Sequence, residues 1–483
     1  MRRPRTIYFN DARHYYLFVF EPPMRLEDAW RPIDEVAGTA VDTFIYGVSR
    51  ADGLFYPSDK GRRFGADLDS FAVAAYWRVW ENMQSLIDQG LDPLQVLVDR
   101  AHEQGMDFFA SLRMGDFPGM DGKYTLSGGG RGYVHREVRE HQLGVLEELA
   151  TQYPVEGVEL DFAAAPGGTS HWLKPEDVEE YTPLMTEYVR QISQTVRQRP
   201  RQPGQLGARI YPTEALNLRT GLDVRTWLKE GLVDYVVPLT YAYFVLDSQM
   251  PIDWLVRAAH AHEVSVYAML QPYYTEENRR FYTVSNATPA MMRAAATNFQ
   301  AKEVDGLYTW FMAWPLGEAE RNTLTELGRR DLIEEGDKHY FLCRKPESEH
   351  VLGYEALLPI QIDRDDLGKA FSIPFSVADD PQNPQIQSIV LRLNISDLVG
   401  ADRLELALNG ESLAGEVCRR SSARQVDPYT GQWLEFHLEK VRPKRGDNLL
   451  ELALLERPAN LHSGVVVEDV EIVVKYGTYP AGL

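Results

Sequence analysis

Residues 154–167 read PVEGVELDFAAAPG. An acid and a glycine open the stretch, a short apolar run follows, and small residues, a proline and more glycine close it. So short a run, bounded by turn residues, reads as a strand. Its apolar positions fall on both faces, as in a parallel strand covered on each side. Two carboxylates, Glu159 and Asp161, interrupt it two residues apart. On a strand, positions i and i+2 face the same way. Both acids therefore point to one side of what is otherwise core, Asp161 nearer the C-terminal end.

The turn that opens this strand recurs. AVDTF, GMDFF, PVEGV, LVDYV and EVDGL each set an acid just before or within the start of a strand. Strand candidates are 5–10, 41–48, 106–114, 155–162, 205–211, 233–241, 264–271 and 304–311. Between them lie amphipathic helical patterns such as DPLQVLVDRAHEQG at 92–105 and HREVREHQLGVLEELA at 135–150. Eight strand–helix units in series predict an α/β protein with a (β/α)8 TIM barrel over residues 1–338, closed by a helix near 321–337. Asp42, Asp107, Glu156, Asp234 and Asp305 then mark the N-terminal rim and read as structural. No glycine-rich phosphate loop follows the first strand, which argues against a dinucleotide-binding sheet. Residues 339–483 change rhythm. Segments such as IQSIVLRLNI, DRLELALNG and VVVEDVEIVVKY alternate between turns, predicting a C-terminal antiparallel β-sandwich. Its role is to prop the barrel or to bind carbohydrate.

The 483 residues exceed the roughly 250–300 at which single cores usually divide. A net charge of −21 without a long basic run disfavours nucleic acid and anionic lipid as partners. No apolar run approaches the roughly 18 residues that would suggest a membrane span. The basic start MRRPRTIYFN carries an apolar stretch too short for a signal segment. The expectation is a cytoplasmic protein, or a secreted or periplasmic one if a signal has been removed. Cys343 and Cys418 form no disulfide framework or metal motif, and buried free thiols are expected. Neither HxH after the first strand nor HExxH occurs, so no metal and no cofactor are expected. The oligomeric state is not legible.

In a barrel enzyme the chemistry sits at the C-terminal strand ends. Those ends supply Asp11, Arg50, Arg113, Asp116, Glu159, Asp161, Arg209, Tyr211, Tyr241, Gln271, Trp310 and Trp314. Carboxylates and arginines bind hydroxyl groups, and aromatic rings stack on sugar faces. Hydrolysis of a glycosidic bond needs two carboxyl groups. Asp161 is the first choice for nucleophile or base and Glu159 the second carboxyl; Asp11, Asp116 and Glu214 are rivals for the general acid. The alternative is a buried pair held by Arg113 or Arg209 without chemistry. Asp11, Arg113, Asp116, Arg209, Tyr211, Tyr241, Gln271, Trp310 and Trp314 are expected to bind substrate. An arginine left free at the rim would suit a uronic acid or sulfate.

Two familiar signatures are missing. A chitinase-like DGxDxDxE pattern would need an acid where Ala163 stands. The fourth strand lacks an Asn-Glu end, and the seventh ends in Gln271 rather than Glu. The segments IYFND, DGLFYPSDKGRRFG, SLRMGD, GVELDF and TGLDVRTWLKEGLVDYVVP resemble the bacterial glycosyl hydrolase-like 10 family, barrel proteins assigned as glycosidases and distinct from the true family 10 xylanases. The resemblance covers most of residues 5–330. It implies a glycosidase barrel acting on a carbohydrate, with Asp11, Arg113, Asp116, Glu159, Asp161 and Arg209 lining the sugar site. The expected activity is a glycoside hydrolase using two carboxylates. The alternatives are a non-catalytic carbohydrate-binding barrel, and a lyase or isomerase of uronic-acid sugars with Tyr241 or Tyr243 beside an arginine.

Overall fold

The computed structural model describes residues 2–11, 16–50, 52–127, 129–163, 172–198, 204–240, 245–275, 284–310, 312, 315–343, 356–422 and 431–477. Eight parallel strands close into a barrel: β1 (Arg5–Asp11), β2 (Thr43–Gly47), β3 (Asp107–Arg113), β4 (Gly157–Asp161), β5 (Gln205–Ile210), β6 (Tyr235–Pro238), β7 (Ser265–Leu270) and β8 (Gly306–Thr309). Each strand neighbours the next in sequence, and β8 returns to β1. All eight lie where the apolar runs predicted them. Helices such as Pro93–Glu103, Arg136–Gln152 and Val178–Arg197 cover the outside. The capping is local chemistry: the Asp92 carboxylate accepts the N–H groups of Leu94 and Gln95, and Pro93 takes the first helical position.

The strand pleat divides the residues between two cores. Ile7, Phe9, Ile45, Phe109, Tyr235, Val237, Tyr267, Met269, Tyr308 and Trp310 fill the barrel. The alternate positions, Tyr8, Phe44, Phe108, Val158, Leu160 and Ala208 among them, pack with the helices. Arg5 is buried near the N-terminal end of the barrel. It reaches Thr43, Gln205 and Asp107, the last at 2.8 Å.

The repeated acidic turn is a fastening. Asp42 donates its backbone N–H to the Thr6 carbonyl and accepts the Thr6 N–H on its carboxylate. Glu156 does the same with Phe108, Asp234 with Leu206 and Asp305 with Val266. The side-chain bonds are 2.7–3.2 Å long. They join β1 to β2, β3 to β4, β5 to β6 and β7 to β8. Strand-end N–H groups need partners once away from water, and an acid one residue before the next strand supplies one. Asp107 differs, pairing with Arg3 and Arg5 instead.

Beyond the barrel lie two antiparallel sheets. One has the order β9 (Lys338–Phe341), β18 (Val465–Tyr476), β12 (Ile386–Ser396), β16 (Gly431–His437), β15 (Val417–Ser422), with β10 (Ile360–Ile362) also on β18. The other runs β11 (Ala370–Val377), β17 (Gly446–Glu456), β13 (Arg403–Leu408), β14 (Glu411–Ser412). Leu391, Leu393 and Val470 of the first share a core with Ile373, Leu450 and Leu452 of the second. The sheets are tied to the barrel by specific bonds. Gln249 exchanges two hydrogen bonds with the backbone of Ser376, and the Tyr274 hydroxyl donates to Glu471 at 2.9 Å. Tyr274 therefore joins the two parts. Both cysteines are free, and Cys418 is exposed on β15 rather than buried. No helix among the described residues is long and apolar enough to cross a membrane.

Candidate active site

Parallel register puts the inward polar residues in two levels. At the lower level Ser111, Glu159 and Gly207 are neighbours on β3, β4 and β5. One pleat higher, Arg113, Asp161 and Arg209 are neighbours on the same strands. Glu159 and Asp161 thus both point inward, with Asp161 nearer the mouth.

At the upper level two arginine–aspartate pairs form. Arg209 Nη1 lies 2.9 Å from Asp161 Oδ2, and neither side chain has any exposure. Arg113 pairs with Asp11 from β1. Phe9 and Trp310 flank the Arg209 guanidinium, with ring centres 4.6 and 4.0 Å from Cζ. Such aromatic faces stabilise a cation once water is excluded. Trp310 therefore walls the arginine and is itself fully buried, in contrast to the open sugar platform expected of it. Ala163, which follows the pair, donates its backbone N–H to Asp161 Oδ1 at 3.2 Å.

Several buried polar groups at this end make no hydrogen bond among the described residues: Nε and Nη2 of Arg209, the Tyr211 hydroxyl and Oε1 of Gln271. Gln271 spends its amide N–H on the Thr240 carbonyl. Burying such groups without partners costs roughly 1–3 kcal/mol each, more for charged ones. Unpaired polar groups at a barrel mouth are the complement of a ligand rich in hydroxyls.

Asp116 stands in the loop after β3, half-buried. The Ser49 hydroxyl donates to its Oδ2 at 3.1 Å and accepts the backbone N–H of Arg113. Loss of water around the carboxyl raises its pKa to about 6, opposed by the nearby Arg113 charge. That is the range a general acid needs near neutrality.

Glu159 occupies the lower level and is fully buried. Ser111 Oγ lies 2.8 Å and the Tyr308 hydroxyl 3.1 Å from its Oε1, and the Tyr235 hydroxyl 3.2 Å from its Oε2. Gly207 makes room for this. A Cβ there would lie 1.9 Å from Cζ of Tyr235. Burial pushes Glu159 up to about 7, with Arg209 opposing and Asp161 reinforcing the shift.

Other expected residues fall elsewhere. Glu214 sits on the helix Glu214–Arg219 and forms a two-pronged pair with Arg225 at 2.6 and 2.7 Å, away from the inner strand faces. Arg50 lies over the rings of Phe18 and Tyr76. Tyr241, Tyr243 and Trp314 lie outside the described residues. The sequence reading missed Ser111, Gly207, Tyr235 and Tyr308. Three of them were signalled by parity, two residues before Arg113, Arg209 and Trp310. Among the described residues no group of three or more His, Cys, Asp or Glu is placed to hold a metal ion.

No family model matches the chain, and no curated protein does. Solved structures similar to it include an alpha-L-fucosidase isoenzyme 2 from Paenibacillus thiaminolyticus, at 12% identity and TM-score 0.43 over 68% of this chain and 48% of that one. An alpha-L-fucosidase from Bacteroides thetaiotaomicron is 12% identical, with TM-score 0.38 over 92% and 84%. A glycoside hydrolase family 18 N-acetylglucosaminidase from Paenibacillus barengoltzii is 12% identical, with TM-score 0.39 over 67% and 99%. The chain spans about half the length of the first of these. These neighbours are glycoside hydrolases, but likeness at this level carries no argument about activity.

Proposed function

We propose that the barrel hydrolyses a glycosidic bond at the C-terminal ends of its strands. One observation carries this reading: two carboxyl groups at the same end of the barrel stand in opposite surroundings. Asp161 is held in an ion pair by a fully buried arginine, and half-buried Asp116 is held by a serine with its proton affinity raised. Two acids whose environments differ in this way divide into one that acts charged and one that carries a proton. Asp161 is then the nucleophile or base. Asp116 is the general acid, in place of Glu159, whose oxygens are engaged one level down. Arg209, Tyr211 and Gln271 take the sugar hydroxyls with their unpaired edges, and the Arg113–Asp11 pair borders the same space. The substrate is a neutral sugar, since Arg113 and Arg209 each have an aspartate on them.

The test is an oligosaccharide hydrolysis screen with the wild type, Asp161→Asn and Asp116→Asn. Cleavage of one glycan by the wild type, with large losses in both variants, is the expected result. A glycan that is bound but cleaved by none of the three would favour the second reading, a non-catalytic carbohydrate-binding barrel. That reading draws on the complete burial of Asp161 and Arg209 against each other. Preference for an acidic glycan, lost in added salt, would overturn the neutral-sugar assignment.

A further inference from the structure

The lower level of the barrel raises a separate question. Glu159 shares the barrel interior with the Arg209 guanidinium, which Asp161 already engages. Ionised, Glu159 would place two carboxylates around one guanidinium, and burying an unpaired charge is costly. Its immediate partners are all neutral hydroxyls: Ser111 from β3, Tyr235 from β6 and Tyr308 from β8. Burial holds both tyrosines well above their ordinary range, so neither competes for the proton. The remaining charged groups acting on this cluster are Asp161 on the same strand, Arg209 on β5 and Arg5, which acts on Tyr235 from below. Phe9 from β1 contributes an uncharged ring against Arg209.

We propose that Glu159 is a positioning residue that carries a proton, a neutral floor beneath the Asp161–Arg209 pair, and that losing this proton sets an upper pH limit on the site. With Glu159 neutral, Arg209 has one anionic partner and holds Asp161 in place. With Glu159 ionised, the unpaired Nε and Nη2 of Arg209 have a second carboxylate to turn to, and the grip on Asp161 loosens. Gly207 is part of the device, because the Tyr235 hydroxyl reaches Glu159 across the space a side chain there would fill. The catalytic half of this inference rests on the hydrolase reading; the proton itself does not.

The experiment compares the full-length wild type with Glu159→Gln, a neutral mimic of the protonated acid. Glu159 has an ordinary value of 4.5 and about 7 in the folded protein. The folded state then binds the proton more tightly, so the wild type loses stability as pH rises from 4.5 to about 7 and levels off above that. Glu159→Gln lacks this loss. The melting temperature of the variant minus that of the wild type should rise by about 3 °C between pH 4.5 and pH 7.5. A constant difference across that range overturns the proposal, whatever the protein cleaves. On a cleaved glycan, Glu159→Gln should stay within roughly tenfold of the wild type at pH 5.5; above pH 7, where both proteins have lost the Asp116 proton, the wild type should fall further than the variant. A loss of roughly 10²–10⁴-fold at every pH would instead make Glu159 a proton donor in bond cleavage. Tyr308→Phe serves if the glutamine variant does not fold. It removes a hydrogen bond that lowers the Glu159 value, so the fall in wild-type stability should extend to higher pH; an unchanged curve counts against the proposal.

Discussion

Both ends of the barrel carry carboxylates, and they are used in different ways. At the N-terminal rim Asp42, Glu156, Asp234 and Asp305 are each taken up by a backbone N–H. At the C-terminal end Asp11 and Asp161 are paired with arginines, Asp116 with a serine, and neighbouring polar groups are left unpaired. One end spends its acids on closing the sheet. The other keeps donors and acceptors in reserve, as a site built for a ligand does. Barrel enzymes in general separate stability from chemistry in this direction, and under the proposed reading the partners of each carboxylate here follow the same division.

The comparison is broken most severely at Asp161. Asp161→Asn should lower turnover roughly a thousandfold. It should also destabilise the fold, by roughly 3–5 kcal/mol, because Arg209 is left buried without its counter-charge. The fully buried ion pair makes this loss of stability part of the expected result. Steady-state kinetics and thermal denaturation on one preparation check both.

Asp116→Asn comes next. It should cost roughly a hundredfold in kcat/KM and remove the limb of the pH profile near 6. The stability contribution has a definite sign: a carboxyl raised from 3.8 to about 6 weakens the wild type as pH climbs through that window. The variant should lack that decline. A profile whose limb survives the substitution would transfer the acid role elsewhere.

Gly207→Ala tests the level between the two ends. Its new methyl group would meet the Tyr235 ring, and overpacking of this kind costs about 3 kcal/mol. Urea denaturation measures it, and a neutral result would mean that Tyr235 has room to retreat from Glu159. The smallest effect belongs to the closed end. Asp234→Ala should lose about 1–2 kcal/mol, the scale of a lost cap, with kcat/KM unaltered. A change in kcat/KM at Asp234 would join the two ends that the structure keeps apart.

The barrel was legible because its signals are local and repeated. An apolar run and an amphipathic helix recur eight times or nearly so, an acidic turn five times, and each can be read within a few residues. The inward facing of Glu159 and Asp161 was legible for the same reason, since the pleat fixes it. Their surroundings were not. What separates them is the set of partners, and Ser111, Tyr235 and Tyr308 lie 48, 76 and 149 residues from Glu159. Ion-pair partners were beyond reach too: Glu214 faces Arg225 on the next helix, and nothing in the sequence distinguishes it from an inward acid. Trp310 was expected to be a sugar platform, because nothing near it in the sequence shows that its ring covers Arg209.

The rim fastenings also say how the barrel divides. Each carboxylate clasp falls within a pair, β1 with β2, β3 with β4, β5 with β6 and β7 with β8. Between pairs, Asp107, Gln205 and Ser265 donate backbone N–H groups to Asp42, Glu156 and Asp234. The barrel is thus a ring of four doubled staves. A circular permutant opened between β2 and β3, or between β4 and β5, keeps every stave continuous in the chain. One opened between β1 and β2, or between β3 and β4, splits a clasped pair between the two ends of the polypeptide. Permutants of the first kind should refold faster, each clasp closing within one unbroken strand–helix–strand unit.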